Sequence, residues 1–69
     1  MSQRFRLNGE ERQLAVPLRL VQLPELASSA ARDGIAVAVN GEVVPRAMWE
    51  EKEVQHGDDI EIVRAVQGG

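Results

Sequence analysis

Apolar and charged residues alternate at the start of the chain: in Arg4-Phe5-Arg6-Leu7, Phe5 and Leu7 recur at the two-residue period of a half-buried strand. Asn8-Gly9-Glu10-Glu11 reads as a turn, because Asn and Gly tolerate positive φ. The alternation resumes from Arg12 to Val16, with Leu14 and Val16 inward, and Pro17 ends it. These two runs predict an N-terminal hairpin. From about Gln22 to Arg32 the period changes, and Leu23, Leu26, Ala27 and Ala30 fall at the spacing of one helical face. Pro24 then lies in the first turn, where its missing N–H removes no intrahelical bond, and Asp33-Gly34 is the stop. Ile35-Ala36-Val37-Ala38-Val39 is an unbroken apolar run between turn residues, the pattern of a central strand covered on both faces. Asn40-Gly41 is a strong two-residue hairpin signal, so Glu42-Val43-Val44 returns alongside until Pro45. Arg46 to Glu53 is polar apart from Ala47, Met48 and Trp49, consistent with one loose helical turn that tucks the Trp ring against the core. Val54 reads as the start of a short edge strand, and the turn His56-Gly57-Asp58-Asp59 feeds a last strand from Ile60 to Val66.

This order of elements predicts an α+β protein of the β-grasp (ubiquitin-like) class, with a mixed four- to five-stranded sheet packed on one main helix. Residues 1–66 form the domain in this reading and 67–69 a flexible C-terminal tail. Hydrophobic residues are 43% of the chain, yet Phe5 and Trp49 are its whole aromatic inventory, so the core is aliphatic. A chain of 69 residues holds one domain. Such a domain buries only about 60% of its unfolded surface, which argues against a deep catalytic cleft and so against a self-contained enzyme. Without cysteine there is no disulfide, thiolate metal site or side-chain persulfide, and no metal or catalytic constellation is expected. The net charge of −3, with basic residues scattered singly, disfavours nucleic acid as a partner. The N-terminus lacks the apolar run of a signal peptide or membrane span, so a cytoplasmic protein without a membrane partner is expected.

The chemistry is expected at the other end. After Val66 the strand pattern stops and the chain ends Gln67-Gly68-Gly69. Four extended residues reach roughly 13 Å, enough to thread from a domain surface into a partner's tunnel. Glycines lack Cβ and pass through a slot too narrow for any side chain. A terminal carboxylate is ionised at neutral pH and a poor electrophile, so it needs a leaving group. Attack on the α-phosphate of ATP supplies one as an acyl adenylate, from which sulfide or a protein persulfide displaces AMP to leave a thiocarboxylate on Gly69. The plainer reading is a frayed terminus. The position of the pair directly after the last strand of a β-grasp domain favours the chemical one.

The run Ile35 to Arg46 with Trp49 beyond it, then Gly57-Asp58, Ile60-Glu61-Ile62-Val63 and the ending Ala65-Val66-Gln67-Gly68-Gly69, resembles the ThiS sulfur carriers of the thiamine pathway. The resemblance is close over the last half of the chain and by pattern over the first. It departs from the family around Pro17 to Pro24, which puts the helix start in question. It implies that Gly69 is adenylated by a ThiF-like enzyme and converted to a thiocarboxylate that delivers sulfur to thiazole synthase. Gly68 and Gln67 would thread the tail, and the ATP and sulfur donor would be used by the activating partner, with no cofactor bound by the chain itself.

Val63, Arg64, Ala65 and Val66 lead directly into the tail and are the candidate docking residues, against the alternative of a strand sandwiched in the sheet with a bulge resetting its phase. His56 in a Gly-Asp turn is expected to be a surface residue, and Asp58, Asp59 and Glu61 lack the spacing of a calcium loop. Glu50 to Glu53 reads as an exposed charged segment, and Trp49 as packing over the end of the sheet. Three other functions suit the same tail or fold: a molybdopterin-pathway sulfur carrier, a ubiquitin-like modifier of lysines, and a noncovalent interaction module.

Overall fold

The computed structural model describes residues 3–27 and 33–64. Five strands form one mixed sheet: β1 (Arg4–Leu7), β2 (Glu10–Gln13), β3 (Ile35–Val39), β4 (Glu42–Val44) and β5 (Asp59–Arg64), in the order β2-β1-β5-β3-β4. β1 pairs parallel to β5, and the other pairs are antiparallel. This is the β-grasp sheet anticipated from the sequence, with the last strand at its centre.

Both hairpins close through Asn-Gly turns. Asn8 and Gly9 have φ of 51° and 83°, and Asn40 and Gly41 of 54° and 84°, the paired positive values of the tight turn whose twist matches that of the strands. The first turn is therefore two residues long rather than four, and β2 runs over Glu10–Gln13 instead of Arg12 to Val16. Leu14 is buried as expected, but Val16 is 66% exposed, because the strand ends before reaching it. β3 is covered on one face only. Val37 and Val39 are buried while on the opposite face Ala36 is exposed and Ala38 half-buried, so the apolar run reflects small alanines on the outer face rather than a second buried set.

The expected helix from Gln22 to Arg32 is corrected in its first half. Residues 20–26 form two 3-10 turns, Leu20–Gln22 and Pro24–Leu26, and no α-helix occurs among the described residues. The second half, including Ala30, lies outside them. Pro24 accounts for the break: it disfavours helical geometry at the preceding residue, and Leu23 is extended at φ −63°, ψ 138°. Leu20, Leu23 and Leu26 are all buried, and their three-residue spacing is the repeat of a 3-10 helix, while Ala27 is exposed.

These leucines pack with Phe5, Leu7, Val37, Val39, Trp49, Val54 and Ile60 into an aliphatic core on one face of the sheet. Trp49 follows a third 3-10 turn, Arg46–Met48, and is 2% exposed, its indole N–H donating to the Val44 carbonyl at 2.9 Å. Val54 begins no strand. An isolated bridge joins Arg19 to Glu53, and the Val54 N–H donates to the Leu18 carbonyl at 2.8 Å. Arg12 and Glu25 tie β2 to the second 3-10 turn through two parallel hydrogen bonds of 3.2 and 2.6 Å.

Candidate functional site

β5 precedes the tail in the chain, and side chains around it hold it at its start and along its first half. At its start the Asp58 carboxylate, in a residue 8% exposed, accepts from Asn40 Nδ2 at 2.9 Å and from the Gln55 N–H at 2.8 Å. Asn40 Oδ1 in turn accepts from the Asp59 N–H at 2.9 Å. The β3–β4 turn is thereby fastened to the root of β5. Farther along, Asn8 donates its backbone N–H to the Ile60 carbonyl and accepts from the Ile62 N–H through Oδ1, each at 2.8 Å. One asparagine per hairpin thus aligns the same strand. Both asparagines read as turn residues in the sequence; their second role needs the register, which no local pattern contains.

The pairing of β3 with β5 is continuous from Ile35↔Arg64 to Val39↔Ile60, so no bulge resets the phase of the last strand. Ile60 points into the core and Ile62 is half-buried, while Val63 is 57% exposed on the opposite face. On that face Val63 neighbours Ala36, and Ala38 lies between Val43, itself 74% exposed, and the exposed Glu61, so the surface is apolar with one carboxylate within it. Alternation along the strand turns Arg64 to the other face from Val63, so these two candidate docking residues do not share one patch. Ala65, Val66, Gln67, Gly68 and Gly69 lie outside the described residues, as does the boundary proposed between domain and tail.

The remaining candidates have local roles. His56 is exposed, and its Nδ1 accepts the Arg4 backbone N–H at 3.1 Å. An open groove of about 350 Å³ runs past it, lined by Arg4, Arg6, Glu11 and Asp59 among others. Arg4 is paired there with Glu11, and the groove sits at the start of β5. Asp58 spends its acceptors on Asn40 and Gln55, and no group of three or more metal-ligating side chains occurs among the described residues. Glu50 to Glu53 is exposed. No helix among the described residues is long and apolar enough to cross a membrane.

A sheet of this order has known counterparts. The family model for the ThiS family matches residues 5–69. The chain belongs to the ThiS family. It is similar to the sulfur carrier protein ThiS of Escherichia coli K12, 42% identical over 36 residues that cover 52% of this chain and 54% of the relative. The match thus spans about half the length of that curated relative. In three dimensions it is similar to the crystal structure of the thiamine biosynthesis protein ThiS from Geobacter metallireducens, with a TM-score of 0.76 at 25% identity, covering 96% of this chain and 99% of that one.

Proposed function

We propose that this ThiS-family chain is a sulfur carrier for formation of the thiamine thiazole and acts through the carboxylate of Gly69. The observation that carries the reading is the extent of the family match, which runs through the last strand to the final glycine rather than stopping at the core. A ThiF-like enzyme joins a Gly69 carboxylate oxygen to the α-phosphorus of ATP and releases pyrophosphate. Hydrosulfide then displaces AMP from the acyl adenylate; where a protein persulfide attacks instead, a thiol cleaves the resulting acyl disulfide. The thiocarboxylate passes its sulfur to thiazole synthase.

The chain's own part in this scheme is position. Asn40 and Asn8 hold the register of β5, the strand that precedes the tail in the chain, and the absence of a side chain on Gly68 suits entry of Gly69 into a narrow site. Nucleotide site, metal and sulfur source belong to the partners, so the chain is a protein cosubstrate rather than an enzyme, and it works in the cytoplasm. The test is intact-protein mass spectrometry after incubation with a ThiF-like enzyme, magnesium ATP and sulfide. Replacement of one oxygen by sulfur is expected on the full chain and not on a chain lacking Gly68 and Gly69. An unmodified full chain beside an enzyme that modifies its own cognate carrier would refute the reading.

A further inference from the structure

β1 is shorter than the strand it accompanies. Its pairing with β5 covers only Arg6↔Asp59 and Leu7↔Ile60, after which the chain turns away at Asn8-Gly9, while β5 continues to Arg64. The hydrogen bonds assign the direction of each backbone group. The carbonyls of Asp58 and Ile60 accept from Arg6 and Asn8, so the even-numbered residues of β5 turn their polar groups toward β1. The Asp59 carbonyl accepts from the Asn40 N–H on the β3 side, so the odd-numbered ones face β3. Beyond Leu7 the side chain of Asn8 satisfies the Ile62 N–H. The next two groups on that side, the Ile62 carbonyl and the Arg64 N–H, have no partner among the described residues.

The sheet's other edges are guarded. β2 carries Glu10, Glu11 and Arg12, and β4 is three residues long and stopped by Pro45, both common defences against unwanted strand pairing. The half-edge at 62–64 has β-branched Ile62 and Val63, no proline, and direct continuity with residues 65–69. Arg64 is exposed and in no ion pair among the described residues.

We propose that the open half-edge of β5 is a strand-addition site for the adenylating partner, which lays an extended segment against Ile62 and Arg64 with an acidic side chain opposite Arg64. Main-chain pairing gives such an addition its affinity, and the cross-strand charge pair fixes its register. The inference rests on the carrier reading above and adds a function for the edge: pairing at the root of the tail sets the line along which residues 65–69 leave the domain. Ordering the root before the tip enters the catalytic site reduces the freedom lost on threading.

The test separates the backbone donor from the side chain. Arg64→Ala removes the charge and keeps the N–H; Arg64→Pro removes both. Because this N–H points away from β3, proline takes no hydrogen bond from the described sheet. Binding of each variant to a purified ThiF-like enzyme is measured with magnesium ATP, alongside urea unfolding of the free chains. Arg64→Pro is expected to bind roughly three- to tenfold more weakly than Arg64→Ala, as the loss of one interchain hydrogen bond gives. Their unfolding midpoints are expected to coincide. Should Arg64→Pro fail to fold, amide exchange decides: the Arg64 N–H of the native chain is expected to slow on binding the enzyme. Equal binding of the two variants, or an Arg64 amide that exchanges as fast in the complex as in the free chain, would overturn the proposal. So would protection of that amide in a self-associated free chain, which would assign the edge to a second copy. A native chain that binds with Arg64 protected yet receives no adenylate refutes the carrier reading and leaves the strand addition standing.

Discussion

Asn8 and Asn40 occupy the same position in two Asn-Gly turns, yet they make different demands on their side chains. Asn8 uses only its oxygen, as acceptor for the Ile62 N–H. Asn40 uses both ends of its amide, accepting from Asp59 and donating to the carboxylate of Asp58. An aspartate at position 8 keeps the required acceptor, whereas one at position 40 sets a second carboxylate against a buried one. Asn40→Asp is expected to lower stability by about 1–3 kcal/mol and Asn8→Asp by less than about 1 kcal/mol, read by urea unfolding at pH 7. Equal effects would mean that the donor to Asp58 has no special weight. The sequence marked both positions as turns because positive φ is a local property. It did not mark Asp58 as the partner of Asn40, because 18 positions separate the two.

Among the elements, the segment after Pro17 shows how close periods can mislead. Leu23 and Leu26 fit an α-helical face, but Leu20, Leu23 and Leu26 fit a three-residue repeat as well, and Pro24 decides between them by excluding helical geometry at Leu23. The burial expected of Leu23 and Leu26 therefore holds although the element differs. Leu26 is fully buried at the end of the second 3-10 turn and packs in the same cluster as Val37 and Ile60. Leu26→Ala is expected to cost about 2–5 kcal/mol, a large share of the stability of so small a domain. Thermal unfolding followed by the fluorescence of Trp49 measures it. A loss under about 1 kcal/mol would mean that these turns are a loose cover rather than part of the core. The strands were more legible: β1, β3 and β4 lie where alternation and the Asn-Gly signals placed them, while β2 shifted because the turn consumed two residues instead of four, and the short strand expected at Val54 is replaced by an isolated bridge at Glu53.

For the whole molecule, the Arg12–Glu25 pair links the N-terminal hairpin to the layer beneath the sheet, so its loss acts on global stability. The hydrogen bonds from Arg12 hold the Glu25 carboxyl below its ordinary value of 4.5, partial burial opposing them, and the Arg12 guanidinium is shifted upward by the same contact. A carboxylate whose folded value lies below its unfolded one stabilises the fold above the unfolded value and loses that contribution as pH falls through the folded one. Both side chains are 35% exposed, so solvent screening limits the effect to about 0.5–1 kcal/mol. Glu25→Gln is expected to be less stable than the native chain by that amount at pH 7, the gap closing as pH falls below the ordinary carboxyl value of 4.5. A gap unchanged down to pH 3 would mean that the pair's charge contributes nothing.

The sequence by itself determined β1, β3, β4 and the start of β5, the Asn-Gly position of both hairpin turns and the aliphatic core, because alternation, positive φ and chain order are properties of neighbouring residues. Tertiary structure alone decided that the last strand sits in the middle of the sheet, that two turn asparagines hold it in register, and that β1 stops short and leaves the Ile62 carbonyl and the Arg64 N–H without a partner among the described residues. Those features depend on which strands meet and at what offset, and the residues that meet lie up to 54 positions apart, as Asn8 and Ile62 do.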